Sequence, residues 1–471
     1  MFQSGSGSSV SSSFKPLNVS GRMERLPVTR ITWHIVFLAG FAWFIESLDI
    51  GVLGVALNPI KEVMHLTPSN VGLLTAASTF GIVLGLIPAG FLSDKYGRKR
   101  LLVFGIVEYS LLTLACAFSP NYQVLLLLRF LSGLGMGAVF PLPYAIVSEF
   151  VNSRQRTLFN GMMDAFLSVG YFIAPLLGMM ILPHFNFSIG WRIFFVVSAA
   201  PLFYAFVIQR WLPESPRWLA KKGRTEQAER TLSQIERSIE RLTQRQLPDP
   251  ELERQTSAGT VPKVSVRTPW TRPFITRTIS RSIAATGTFF MFYIVMTYMP
   301  TIFRSHGFSF AHSLIFTAIV TGAAIPGKIL NGYFAERLGR KVVYVLFMGI
   351  AGIASLFFGL ASTPSSMVLY ACIMSFFGTG AFPALKMSYA EQYPTHVRTT
   401  GAATVETIGR LLGGVIGSYA MPIILSNGGL SDGTAVIAAV AFVALVFEVG
   451  FSKESKGATL EQLEVAMLQS K

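Results

Sequence analysis

The chain has little of what catalysis and disulfide scaffolds need: among 471 residues only 13% are charged, six are His and two are Cys. Cys116 and Cys372 lie far apart inside apolar runs, so neither a disulfide nor a Cys/His metal site is expected, and both read as small packing residues. No Gly-rich phosphate loop occurs and no nucleophile stands beside a base. Neither an enzyme nor a cofactor is therefore expected. Acids are scarcer than bases, 24 against 39, which leaves a net charge of +15. A surplus of that size can mark a nucleic-acid binder, but here the bases cluster in alternate connectors between apolar runs, and no nucleic-acid partner is expected.

The abundant material is apolar: 51% of residues are hydrophobic and 39 are Phe, with a mean hydropathy of +0.52. A membrane-spanning helix needs roughly 20 mainly apolar residues. Twelve runs qualify: 31–57, 70–93, 100–118, 122–147, 158–182, 191–212, 280–303, 309–334, 341–361, 365–390, 398–424 and 432–451. Gly and Pro inside them do not argue against helix, because packed neighbours can satisfy the freed backbone groups. Arg22, Arg25 and Arg30 precede the first run; Lys95, Arg98, Lys99 and Arg100 follow the second; Arg154 and Arg156 follow the fourth; and 213–279 is basic. The positive-inside rule then places both termini and the central linker in the cytoplasm. The expected layout is a disordered tail over 1–29, a six-helix bundle over 30–212, a linker over 213–279, a second bundle over 280–452 and a tail over 453–471. Within the linker, Ala228, Leu232, Ile235, Ile239 and Leu242 fall at helical spacing and predict an amphipathic helix.

The halves repeat. Moving 242 positions along from Gly90, Gly97, Arg98, Lys99, Phe140, Pro141, Glu149, Arg156 and Thr157 gives Gly332, Gly339, Arg340, Lys341, Phe382, Pro383, Glu391, Arg398 and Thr399. A duplicated membrane bundle is a common plan for transporters.

Segments 90–99 (GFLSDKYGRK) and 332–341 (GYFAERLGRK) resemble the loop signature of the major facilitator superfamily, in both places where that signature is expected. PESPRW at 213–218, Glu149 with Arg156, Glu391 to Arg398 and ESKGATLE at 454–461 are similar to the branch holding sugar porters, organic ion transporters and bacterial metabolite/proton symporters. The paired glutamines of sugar porters are missing from the seventh run, FFMFYIVMTYMP at 289–300. FIESLDIG at 44–51, LRFLSG at 128–133, EQYPTHVR at 391–398 and GRLLG at 409–413 look most like bacterial niacin transporters and aromatic-acid/proton symporters, except that Glu46 stands where those relatives usually carry Asp. The resemblance implies an all-α membrane protein of twelve helices in two pseudo-symmetric bundles. It would sit as a monomer in the bacterial inner membrane and import a small organic acid with a proton by alternating access.

A charge at mid-bilayer costs about 2.5–3.5 kcal/mol even on lenient insertion scales, so each needs a partner, water or a task. Glu46 and Asp49, three residues apart, share a helix face, and two close carboxylates tend to hold one proton. They are the proton-coupling candidates, with cavity-facing structural hydrogen bonding as the alternative. Arg129 is the expected counter-ion, as related sugar symporters pair such residues. Arg410 and Glu406, one turn apart, could neutralise each other, yet an acid substrate needs a cation and Arg offers it two prongs. Lys328 is a further candidate, placed where it could snorkel. Glu108 reads as a packing residue, and Asp164 as part of the cytoplasmic loop network. Trp43, Phe44, Tyr293, Tyr298, Phe376, Phe377 and Phe382 lie on runs one, seven and ten, which line the cavity in this superfamily, and could sandwich a planar ring; lipid-facing or core packing is the competing reading. Asp94, Arg98, Glu149, Arg156, Glu214, Arg217, Glu336, Arg340, Glu391 and Arg398 would collect at the cytoplasmic ends and lock the bundles together as a gate. A sugar or organic-cation carrier and a nontransporting sensor remain as alternatives.

Overall fold

A computed structural model describes residues 18–152, 155–250, 265, 267–272, 274–393, 395–452 and 454. The expected disordered tail up to residue 17, Arg154, much of the later linker and the 455–461 part of the terminal motif lie outside the described residues.

Apolar runs have become long helices, and polar residues at their edges set where they start. Helix α1, Arg30–Val63, begins behind a capping box between Thr29 and Thr32. Helix α2, Pro68–Tyr96, begins with proline at its first position and the Thr67 hydroxyl accepting from the Asn70 amide, the arrangement that satisfies orphan donors at a helix start. Gly97, at φ 106°, turns the chain into α3, Arg98–Cys116. Then come α4, Tyr122–Phe150, α5, Arg156–Ile181, and α6, Phe187–Trp211. The second half supplies α7, Ile275–Ser305, α8, Phe310–Leu338, α9, Arg340–Gly359, and α10, Pro364–Tyr389. Gly339, at φ 111°, makes the same turn before α9 that Gly97 makes before α3.

The remaining apolar chain forms one helical stretch, Thr400–Phe451, of 52 residues. That is more than twice a membrane's thickness, and it breaks at Gly429, whose φ of 70° and ψ of −165° are not helical. The break separates α11, which starts at Thr395, from α12 over 430–451. Ten stretches are long and apolar enough to cross a membrane among the described residues. Dividing the last of them at Gly429 and adding α3, which is apolar apart from the charges of its first turn and Glu108, accounts for twelve helices. Described strands are absent. Two turns widen to π-helix, Met374–Gly378 in α10 and Arg410–Ile416 in α11, a departure that recurs at functional sites.

Lipid offers no hydrophobic drive to bring helices together, so small residues at close crossings do that work. A Cβ on Gly81 of α2 would lie 2.2 Å from the Phe130 carbonyl oxygen of α4. The halves meet at the end away from the linker, the far end. There Gly54 of α1 rests on α7, where a Cβ would lie 2.8 Å from the Thr297 carbonyl and 3.3 Å from that of Met296. Gly72 of α2 lies against the Tyr419 carbonyl of α11. Tyr298 bonds the Ser418 carbonyl at 2.6 Å and the Thr75 hydroxyl at 2.5 Å, and Phe187 of α6 touches Phe310 of α8 with ring centres 5.2 Å apart.

At the linker end, a helix over Thr225–Thr243 buries Ala228, Leu232 and Ile239, while Leu242, expected on the same apolar face, is exposed. Arg22, from the short helix Val19–Glu24, reaches Glu229 at 2.7 Å and Glu236 at 2.5 Å, and Arg25 reaches Glu236 at 2.6 Å. Burial opposes the charge on Glu236, but hydrogen bonds from Arg22 and Arg25 outweigh it and hold this carboxyl below its usual range.

Candidate functional site

A small pocket lies between the halves, lined by residues of both. Its walls are apolar on α1 (Ile50), α4 (Phe140), α5 (Leu167), α7 (Phe289, Phe292) and α10 (Phe382), with Tyr171 and Tyr293 among them. The charged groups on the wall are Asp164, Lys328, Lys386 and Arg410. The walls are partly paired by the repeat: Phe140 and Phe382 are equivalent positions, as are Ile50 and Phe292.

Arg410 opens the π-helical turn of α11 and is 3% exposed. Its guanidinium donates to Glu406 at 3.0 Å and to the Tyr293 hydroxyl at 3.3 Å, and stacks over Phe140 of the opposite half at 3.9 Å and Phe289 at 4.7 Å. Glu406 also accepts from Tyr389 at 3.4 Å. Lys328 is buried, its ammonium facing the rings of Phe292 and Phe382. It turns inward to the pocket rather than snorkelling, the alternative weighed from the sequence. It has no ion-pair partner among the described residues.

Beside the cavity, toward the far end, Asp49 of α1 and Arg129 of α4 form an ion pair at 3.1 Å in which both side chains are 0% exposed. Arg129 also donates to Ser78 at 3.1 Å, while its Nη2 and the Asp49 Oδ1 are buried without a partner. Glu46 is likewise fully buried; neither carboxylate oxygen has a hydrogen-bond partner, and it lies within electrostatic reach of Asp49 and Arg410.

Several expected wall residues stand elsewhere. Tyr298 commits its hydroxyl to the far-end seal. Phe44 packs against Phe41 on the outer side of α1, and Phe376 and Phe377 pack against Phe347 of α9; spacing along a helix does not tell inner face from outer among so many aromatics. Trp43 is one layer behind the wall, its indole donating to the Phe140 carbonyl at 2.9 Å. Asp164, expected in the loop network, instead reaches Lys386 of the other half at 2.8 Å. The sequence pattern does not single out Lys386; its one visible signal is that it sits four residues past Phe382 at the end of an apolar run.

Of the expected gate residues, Arg98, Arg217 and Arg340 pair within their own halves. Arg98 binds Asp94 at 2.9 Å and Glu149 at 3.0 Å within the first half, and Arg340 binds Glu391 at 3.1 Å within the second. Glu214 accepts from the Arg98 and Lys99 amides at 3.1 and 3.2 Å, capping α3. Arg217 pairs with Glu24 at 3.2 Å, Glu336 is exposed, and Arg398 is half-buried. The side chain of Arg156 lies outside the described residues. Two buried charges carry no signal in the sequence pattern: Arg281 and Glu448, paired at 2.6 Å between α7 and α12.

The profile described as Major Facilitator Superfamily matches residues 35–418 and 282–462, spanning the whole fold just described. The chain belongs to the major facilitator superfamily. It is a membrane transporter of this superfamily, not an enzyme. The niacin transporter NiaP of Acinetobacter baylyi is 31% identical over 95% of this chain and 100% of its own length. The 4-hydroxybenzoate transporter PcaK of the same organism is 25% identical over 87% of this chain and 89% of its own. Among solved structures, the xylose transporter XylE from E. coli in a partially occluded inward-open conformation superposes with a TM-score of 0.75 at 18% identity, covering 92% of this chain and all of that one. That last likeness is one of fold.

Proposed function

We propose that this transporter imports a small aromatic monocarboxylate, with nicotinate the first candidate, together with a proton, by alternating access in the bacterial inner membrane. In this reading the linker end is cytoplasmic, the far-end seal faces the periplasm, and the chain acts as a monomer. The observation that carries it is the charge balance of the cavity. Arg410 is paired with Glu406 and Lys386 with Asp164, which leaves Lys328 as a buried cation facing two phenyl rings without a counter-ion among the described residues. A planar acid supplies what is missing: a carboxylate for Lys328 and Arg410, and a ring for Phe289, Phe292 and Phe382. An organic cation would meet the opposite: the acid on the wall, Asp164, is already bonded. The named activities of the niacin and 4-hydroxybenzoate relatives support the same substrate class.

Proton coupling is assigned to Asp49, Glu46 and Arg129. Protonating Asp49 would remove the attraction that holds Arg129 and free the guanidinium to move with α4. The within-half clusters of Asp94, Arg98 and Glu149, and of Arg340 and Glu391, would exchange partners across the interface when the cytoplasmic ends close. Uptake of labelled nicotinate by proteoliposomes tests the reading. Accumulation should require an inward proton gradient; uptake indifferent to collapsing that gradient refutes coupling, and absence of uptake refutes the substrate. A competition panel of sugars and organic cations separates the rival carriers, and ligand binding without accumulation would indicate a sensor.

A further inference from the structure

The two halves of a duplicated carrier of this fold are related by a pseudo-two-fold axis along the membrane normal. Two equivalent residues that touch each other must therefore straddle that axis. One such pair is Gly54 and Met296, packed in the far-end seal. Another is Tyr144 and Lys386, 242 positions apart, with the ammonium 3.3 Å from the phenol oxygen. Lys386 therefore sits on the centre line of the molecule, at the side of the cavity toward the linker end. Its ammonium is also bonded to Asp164 of the opposite half at 2.8 Å and lies 5.1–5.7 Å from the rings of Tyr144, Trp43 and Phe382.

We propose that Asp164 and Lys386 form the inner gate of the substrate path, with the Asp164 carboxylate occupying the place on Lys386 that the substrate carboxylate takes as it leaves the cavity. The inference rests on the reading of the chain as a carboxylate carrier and adds to it the exit-side specificity residues. The exchange replaces one carboxylate by another on the same ammonium, so no buried charge is stranded, the condition under which ions can move inside protein without a large penalty. The displaced Asp164 has a second cation within electrostatic reach, Lys328. As Lys328 gives up the substrate it receives Asp164, and Lys386 passes the substrate on. The aromatic rings around Lys386 hold the ammonium in place while its partner changes. A substrate without negative charge cannot compete with Asp164 and stays behind the closed link.

The test is the concentration dependence of nicotinate exchange from the interior of proteoliposomes, compared among wild type, Asp164→Asn, Lys386→Gln and the double variant. Removing the competing carboxylate in Asp164→Asn should lower the half-saturating internal concentration about three- to tenfold and slow net release. Lys386→Gln should raise it about tenfold, and adding Asp164→Asn to Lys386→Gln should change nothing further, since the residue competed for is gone. A merely structural bridge would lower the maximal rate in both single variants and leave half-saturation unmoved; that result overturns the proposal, as would shifts in the same direction for both or additive shifts in the double variant. If Lys386→Gln fails to insert, the direction of the Asp164→Asn shift decides alone. Wild type that carries no nicotinate would refute the assigned substrate instead, so the two failures are told apart.

Discussion

The buried pair of Asp49 and Arg129 allows stability and coupling to be tested together. At 3.1 Å, with an effective dielectric constant near 20, the attraction is about 5 kcal/mol, offset by the cost of taking both ions out of water. Removing one partner leaves the other charge stranded, which costs about 3–5 kcal/mol, whereas removing both can be nearly neutral. Asp49→Asn and Arg129→Met should each destabilise the detergent-solubilised protein by that amount at neutral pH, while the double variant should recover most of the loss. The assay is a double-mutant cycle on thermal or denaturant unfolding, followed by vesicle uptake. All three variants should still exchange labelled substrate but lose accumulation driven by a proton gradient. Single variants costing under about 1 kcal/mol, or losses that simply add, would show that the pair is solvated or uncoupled. Proton-driven accumulation in the double variant would remove both residues from the coupling step.

Arg281 and Glu448, with side chains 1% and 0% exposed, obey the same stability logic without a transport role: either single neutral substitution should cost about 3–5 kcal/mol, and a double apolar replacement should restore unfolding stability with proton-driven uptake intact. Gly54→Val forces a side chain against the Thr297 carbonyl; overpacking of this kind costs about 1–3 kcal/mol and should pry open the far-end seal, read as faster labelling of a Ser418→Cys reporter, buried in the closed seal, by a membrane-impermeant maleimide. The clamp between Arg22, Arg25 and Glu236 should be pH-dependent. Glu236 is held below its usual range in the folded protein, so the clamp contributes stability above the ordinary glutamate pKa and loses it as pH falls through the lowered folded value. Amide protection at residues 19–25, taken relative to the intrinsic exchange rate at each pH, should therefore stay high at pH 7 and fall only in strong acid, and Glu236→Gln should lower it at both.

Length and apolarity are properties a sequence states outright, which is why the twelve runs and their duplication are legible from the residues alone. Ion pairs are legible where both members have a local reason to be noticed: Arg410 with Glu406 one turn away, or Asp49 and Arg129 as charges with nowhere else to go. Facing is not legible. Phe44, Phe376 and Phe377 have the same composition and spacing as Phe289 and Phe382, and only the rotation of each helix about its own axis separates wall from backing. The widened turns at Met374–Gly378 and Arg410–Ile416 shift that rotation by an amount no regular period foretells. The bond between Asp164 and Lys386 is hidden for another reason: the two come from different halves, and no local pattern connects them.

The caps on α3 and α9 bear on how each half is closed. Glu214, just past α6, accepts from the first amides of α3, and Glu454, just past α12, does the same for Arg340 and Lys341 at 2.9 and 3.0 Å. The repeated plan therefore extends past the sixth crossing of each half, where an acid folds back to finish the third helix of that half. The two acids are slightly out of step with the 242-position offset that holds at Arg98 and Arg340, so the backbone, not the register, brings each acid to its helix start. Each half is thus a unit closed by its own end, and the linker helix is held separately, through Arg22 and Arg25.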